Sequence, residues 1–423
     1  MQQVFEYRQG ELYAEGVPLR QIATELGTPF YAYSQKGLED AYRAFDAAFG
    51  EHPHLICFAM KANGNLAVLA TLGRLGSGFD IVTGGELFRA LKAGADPRRI
   101  VFSGVGKSDE EIGYALTSNI LMFNVESAEE LRAIDRVAGT LGRTAPVAIR
   151  VNPDVDPQTH PYISTGMKSA KFGVNISQAR EVYAEALAAR HLEVIGVDCH
   201  IGSQLTRLSP FVDSLRKVLP LIDELRAQGA PIRYLDFGGG LGISYDQEQP
   251  PTPEAYAKAI LQEVEGKDLT LIFEPGRHLI GNAGALVTKV LYNKAGEAKH
   301  FVIVDAGMND LIRPSIYDAY HRILPVSANT DRGARQVDVV GPICESTDVL
   351  ARDRELPDVH AGELLAVLSA GAYGFSMSSQ YNARPRVPEV LVDGARYDVV
   401  RARETYDDLI RGEQIPERLR QKV

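Results

Sequence analysis

Cysteine is scarce in this sequence: three residues in 423, namely Cys57, Cys199 and Cys344. None stands in a CxxC pair, so neither a disulfide framework nor a cysteine-built zinc site is expected. A reducing compartment suits such a chain. The HExxH spacing of zinc hydrolases is missing as well, and no metal is expected. Positive charge is in deficit, with 45 Lys and Arg against 55 Asp and Glu and a net charge of −10, which argues against a general nucleic-acid binder. The longest apolar run, Leu364–Phe375, is too short to span a bilayer and is interrupted by Gly and Ser. The stretch Met1–Glu6 has neither a basic n-region nor an apolar core, so no signal peptide is visible and a cytoplasmic protein is expected.

The length exceeds one typical domain, so two are expected, one of them large enough for a barrel. From residue 30 short apolar segments alternate with amphipathic stretches. Eight segments read as strands: Leu55–Met60, Gly78–Val82, Ile100–Ser103, Ile120–Asn124, Val147–Val151, Val194–His200, Tyr234–Phe237 and Leu271–Glu274. Helical patterns such as Gly85–Ala93, Ala128–Val137 and Pro210–Gln228 lie between them. Eight βα units predict an α/β fold with a (β/α)8 TIM-type barrel over 31–280, in preference to an open doubly wound sheet. An insertion over 152–175, rich in Pro, Gly, Ser and Thr, reads as a loop or lid. Its Lys168 and Lys171 read as solvated. After residue 281 strand-like runs dominate, and 281–423 together with the hairpin in 1–30 predict a β-rich sandwich or barrel domain.

In such barrels the C-terminal strand ends build the active site. The first strand runs into Lys61, with Leu55, Cys57 and Ala59 expected on the same face. The plainest reading is a lysine reaching for solvent; the sharper one is an amine whose pKa is lowered by desolvation for attack on a carbonyl. Gly238, Gly239 and Gly240 follow strand seven, and Glu274-Pro275-Gly276-Arg277 follows strand eight. Two glycine loops at those positions, one with an arginine, favour a phosphate site over two tight turns. An imine-forming lysine, a phosphate cradle and a carboxylate for a ring nitrogen together suit pyridoxal 5′-phosphate. His200 fits either a ring-stacking residue or a structural histidine, and Ser203 is a candidate phosphate donor. Asp80 and Arg150 are expected beside the site as supporting charges.

These motifs, with Phe58-Ala59-Met60-Lys61-Ala62-Asn63, His200-Ile201-Gly202-Ser203-Gln204, the Asp305–Pro314 loop, Cys344-Glu345-Ser346-Thr347-Asp348 and Gly371-Ala372-Tyr373-Gly374, resemble the fold-type III pyridoxal-phosphate decarboxylases over essentially the whole chain. The C-terminal set resembles the branch that decarboxylates meso-2,6-diaminopimelate to L-lysine and CO2. The resemblance implies that Lys61 carries the cofactor, Glu274 pairs with its ring nitrogen and His200 stacks on the ring. It implies Asp80, Ser203, Gly238, Gly239, Gly240, Gly276, Arg277 and Tyr373 around the cofactor. Arg277, Arg313, Tyr317 and Tyr373 are the implied substrate contacts, with Glu345 for the distal amine. Cys344 is the implied acid for the reacting carbon. Cys344 and Glu345 are implied to come from the partner of a homodimer, and no membrane or nucleic-acid partner is implied. A distal carboxylate suits Arg313, whose planar fork binds it bidentately; a domain-interface ion pair is the other reading. The alternatives are a sister decarboxylase acting on carboxynorspermidine or a siderophore precursor, or a non-catalytic homologue that only binds the cofactor. An arginine at the ring nitrogen would mark a racemase, and Glu274 argues against one.

Overall fold

The computed structural model describes residues 4–156, 171–328 and 332–420. The chain divides into two compact units, one built from Ser34–Gly284 with Ser369–Ser376, the other from Phe5–Tyr33, Ala285–Leu368 and Met377 onward.

The first unit is a closed parallel barrel. Its strands are β1 (His54–Ala59), β2 (Gly78–Ile81), β3 (Ile100–Phe102), β4 (Met122–Val125), β5 (Ala145–Asn152), β6 (Leu192–Asp198), β7 (Tyr234–Asp236) and β8 (Thr270–Phe273). Each pairs in parallel with the next, and β8 returns to β1 through Phe273 opposite Ile56. All eight coincide with the strands expected from the sequence to within two residues at most ends. The strands are apolar because they are covered on both faces, by helices outside and by barrel filling inside. Leu55, Cys57, Val101, Met122, Ala148, Ile195 and Ile272 form that filling. Side-chain caps start the outer helices: Thr83 Oγ1 accepts from the Glu86 N–H, and Ser108 makes a capping box with Glu111.

Two expectations about the first strand change. Strand β1 stops at Ala59, and Met60–Ala62 form a 3₁₀ turn. Lys61 therefore does not continue the alternation of Leu55, Cys57 and Ala59. Cys57 packs in the barrel filling rather than leaving room beside the lysine. Of the insertion, Lys171–Asn175 is described and ends in a short strand, Val174–Asn175, on β5; Lys168 and the rest of 157–170 lie outside the described residues.

The second unit is built on a mixed sheet. Its strands run in the order Val349–Pro357, Ala334–Val340, His300–Val304, Gly284–Ala295, Phe30–Ser34, Glu389–Asp393 and Arg396–Arg401, and Leu364–Val367 and Ile323–Pro325 extend it from Gly284–Ala295. A small antiparallel sheet holds Phe5–Arg8, Glu11–Ala14 and Val17–Pro18. Among the described residues no helix is long and apolar enough to cross a membrane.

Candidate active site

The mouth of the barrel is polar. The even-numbered strands end in Asp80 (β2), Asn124 (β4), Asp198 (β6) and, just past β8, Glu274, and Asp236 ends β7; all five are buried. Alternate strands filling one layer is the usual barrel arrangement. Here that layer carries charge.

Lys61 Nζ donates to Asp80 Oδ2 at 2.8 Å. Burial pulls the lysine pKa down, but Asp80, Glu274 and Tyr373 together outweigh it, and the net shift is upward. The depressed pKa expected from desolvation alone is thus overturned by the neighbouring carboxylates. Glu274 sits across the barrel. Its Oε1 accepts from Ser103 Oγ at 3.2 Å and from Asn124 Nδ2 at 3.3 Å. Burial, then Asp236, Asp80 and Asp198, push its pKa well above the usual carboxylate range. It is not a surface partner of Arg277.

His200 follows β6. Its Nδ1 accepts from the Gly239 N–H at 3.2 Å, which leaves the proton on Nε2. Burial, Arg150 and Lys61 hold its pKa well below 6.5, so the imidazole is neutral. The loop Gly238–Gly240 fits under it only without side chains. Gly238 has φ of +63°, and a Cβ there would lie 2.7 Å from the His200 ring; a Cβ on Gly239 would lie 2.4 Å from the Glu274 carbonyl oxygen.

Arg277 Nη2 donates to Ser203 Oγ at 3.1 Å, Nη1 donates to the Tyr245 hydroxyl, and the guanidinium lies 4.8 Å from the centroid of the Tyr373 ring. Gly276 precedes it, packed against Ala59 and Ala62. The Ser369–Ser376 segment is tied to the lysine turn: the Tyr373 N–H donates to Ala62 O at 2.8 Å, and Ser376 Oγ to Lys61 O at 3.0 Å. Lys61, Asp80, His200, Ser203, Gly238–Gly240, Glu274, Gly276, Arg277 and Tyr373 are all in this unit. Arg150 is buried and pairs with Glu126 at 2.8 Å, with Asp198 at 3.9 Å.

The remaining candidates lie in the second unit. Arg313 is buried, and its Nη1 donates to His321 Nε2 at 2.9 Å, while His321 Nδ1 donates to Leu368 O. Arg313 and Tyr317 bound one short helix, and Ser315 within it donates to Thr347 O at 2.7 Å, bringing the helix to the Cys344–Thr347 turn. Asp348 closes that turn by accepting from the N–H groups of Met308 and Ile343. Cys344 and Glu345 are exposed on it.

Sequence reasoning passed over Ser103, Asn124, Asp236 and Tyr245. Three of them carried a usable signal: each is a polar residue at or next to the end of an otherwise apolar barrel strand.

Residues 35–281 match the family model "Pyridoxal-dependent decarboxylase, pyridoxal binding domain". The chain is 56% identical over 411 residues to a diaminopimelate decarboxylase of Pseudomonas aeruginosa, covering 97% of this chain and 99% of that protein. It is 54% identical to the one from Vibrio cholerae, covering 96% and 97%. Among solved structures, diaminopimelate decarboxylase from Helicobacter pylori complexed with L-lysine superposes with a TM-score of 0.90 at 46% identity, covering 93% of this chain and 98% of that one. The enzyme from M. jannaschii in co-complex with L-lysine gives 0.94 at 41% identity and 99% coverage of each chain.

Proposed function

The chain belongs to the diaminopimelate decarboxylases, within the pyridoxal-dependent decarboxylase family, and from that premise we propose that it removes CO2 from meso-2,6-diaminopimelate to give L-lysine, the last step of lysine biosynthesis. The observation that carries the reading is the barrel mouth itself, where the lysine of the turn after β1 bonds a buried carboxylate, with an arginine–serine pair and a glycine cradle in the same unit.

The residues fit pyridoxal 5′-phosphate. The buried Asp80 Oδ1 has no hydrogen-bond partner among the described residues, and the glycine cradle closes if any Cβ is added. When bound, the cofactor supplies an aldehyde for an amine and a ring that accepts the electrons left behind by CO2. Lys61 is the amine that holds it, and Asp80 takes up the lysine's charge when it is released. The neutral His200 offers an uncharged face for the ring. Ser203, Arg277 and the amides of Gly238–Gly240 and Gly276 hold the phosphate, and Glu274 faces the ring nitrogen with Tyr373 alongside.

We assign Arg313 and Tyr317 of the second unit and Arg277 of the first to the carboxylate that is retained, and Glu345 to the distal amine. Cys344 gives the proton to the carbon that loses CO2. Two copies of the chain form the working enzyme, with Cys344 and Glu345 of the partner subunit completing each site. Their exposure on one turn supports that reading. The barrel unit carries the cofactor, and the β-rich unit carries substrate and dimer contacts. Three unpaired cysteines, one exposed, suit a cytoplasmic enzyme.

The test is direct: incubate the purified protein with pyridoxal phosphate and meso-diaminopimelate and measure CO2 and lysine. Turnover of another amino acid in place of this one would sink the substrate assignment. Failure to turn over any amino acid would sink the catalytic reading.

A further inference from the structure

Among the described residues the barrel mouth holds more buried acid than its bases neutralise. Arg150 pairs with Glu126, and Lys61 with Asp80. Asp198, Asp236 and Glu274 share what remains, and among the described residues the nearest cation to any of them is Arg150, 3.9 Å from Asp198. Asp236 and Glu274 are the close pair. Asn124 Nδ2 bridges them, at 2.9 Å from Asp236 Oδ2 and 3.3 Å from Glu274 Oε1. Gly238 ties both from the other side: its N–H donates to Asp236 Oδ1 at 2.9 Å, and its carbonyl accepts from the Glu274 N–H at 2.7 Å. One amide nitrogen bonded to an oxygen of each thus draws two buried carboxyls together with no described cation between them. Two ionised carboxylates so placed repel, since each ionised oxygen only accepts, and one shared proton relieves that repulsion.

We propose that Asp236 and Glu274 hold one proton between them, and that Asp236 is the positioning residue through which this pair keeps the cofactor's ring nitrogen protonated. The second half rests on the cofactor reading above. On cofactor binding the shared O–H bond breaks and an N–H bond forms on the ring; the pair gains one negative charge and the ring one positive charge. Asp236 then remains as a second anion behind Glu274 and stabilises the ring proton without touching the ring. The other charges facing the pair are Asp80, Asp198, Lys61 and Arg150, with the Cys57 thiol below, whose pKa burial, Asp236, Glu274 and Asp80 push up. Burial also raises Asp236 to about 6, against the pull of its Asn124 and Gly238 hydrogen bonds.

Asp236→Asn is a mild change. The Asn124 Oδ1 has no hydrogen-bond partner among the described residues, so its amide can turn to accept from the new one. Two measurements decide. In the protein freed of cofactor, infrared spectra at neutral pH should show a protonated-carboxyl C=O band that the Asp236→Asn/Glu274→Gln double variant lacks. In the loaded protein, NMR of cofactor labelled at the ring nitrogen should show Asp236→Asn losing the ring proton at a pH lower by about one unit or more, a tenfold loss of proton affinity. A band of equal strength in the wild type and the double variant overturns the pair. A band with an unshifted ring proton overturns the role of Asp236 toward the cofactor. If the Asp236 variant does not fold, comparing wild type with Glu274→Gln in the infrared still decides the first point. Failure to bind cofactor at all would count against the proposed function and leave the infrared result standing.

Discussion

Lys61 Nζ lies 2.8 Å from Asp80 Oδ2, and this contact, with Glu274 and Tyr373 behind it, overrides the effect of burial and keeps the amine charged. Only a neutral amine attacks an aldehyde. Asp80→Asn removes the nearest anion, so the lysine pKa falls and a larger share of amine is neutral at any given pH. Capture of pyridoxal phosphate should then quicken about tenfold at neutral pH for each unit of that fall. Stopped-flow absorbance across pH measures it. An unchanged rate would show that some other group sets the charge on Lys61.

The Gly238 backbone conformation and its distance to His200 give a second test. Alanine there adds the cost of a left-handed non-glycine residue, about 1 kcal/mol, and a Cβ that must push the imidazole aside. Gly238→Ala should weaken cofactor binding about tenfold or more. Gly10 also has positive φ but nothing within 4 Å of its Cβ position, so Gly10→Ala serves as the control that carries the backbone strain alone. Equal losses of affinity in the two variants would refute the cradle.

Much of this was legible in the sequence because barrel strands, buried on both faces, announce themselves as apolar runs. The eight strands and the polar residues at their ends followed from that. Two limits have physical causes. Phe30–Ser34 was passed over because a fully buried five-residue run flanked by a proline and a helix carries no alternation; it lies inside the sheet of the second unit. Val349–Pro357 was hidden by its charged Arg-Asp-Arg-Glu centre, which is largely exposed on an edge strand. The sign of the Lys61 shift was misjudged for a different reason. Desolvation is visible in an apolar strand, but the carboxylates that oppose it come from distant strands and meet only in three dimensions.

Asp310, in the second unit, links stability to pH. Its Oδ2 accepts from the Gly307 N–H at 3.0 Å and its Oδ1 from Asn309 Nδ2 at 3.1 Å, and burial raises its pKa to about 7. A carboxyl with a raised native pKa binds its proton more tightly when folded, so the protein loses stability as pH rises from about 4 to about 7. Asp310→Asn removes that titration, and Asn309 Oδ1, which has no partner among the described residues, can accept from the new amide. Relative to wild type the variant should gain on the order of 2–4 kcal/mol between pH 5 and pH 8. Urea midpoints across that range measure the difference, and parallel curves for the two proteins would contradict it.

The division of the site between two chains is open to a complementation test. Lys61 is in the barrel unit and Cys344 on an exposed turn of the other unit. Lys61→Ala and Cys344→Ala should each be nearly inactive as pure proteins. In a two-fold dimer with shared sites, a mixed dimer of the two holds one site with both residues intact and one with both missing. Mixed dimers isolated through two different tags should therefore recover about half of the wild-type rate per dimer. If Lys61 and Cys344 served the same site within one chain, each chain of the mixed dimer would be broken and no activity would return. Recovery that vanishes when the dimer is diluted and its subunits separate would confirm that the restored site belongs to the pair of chains.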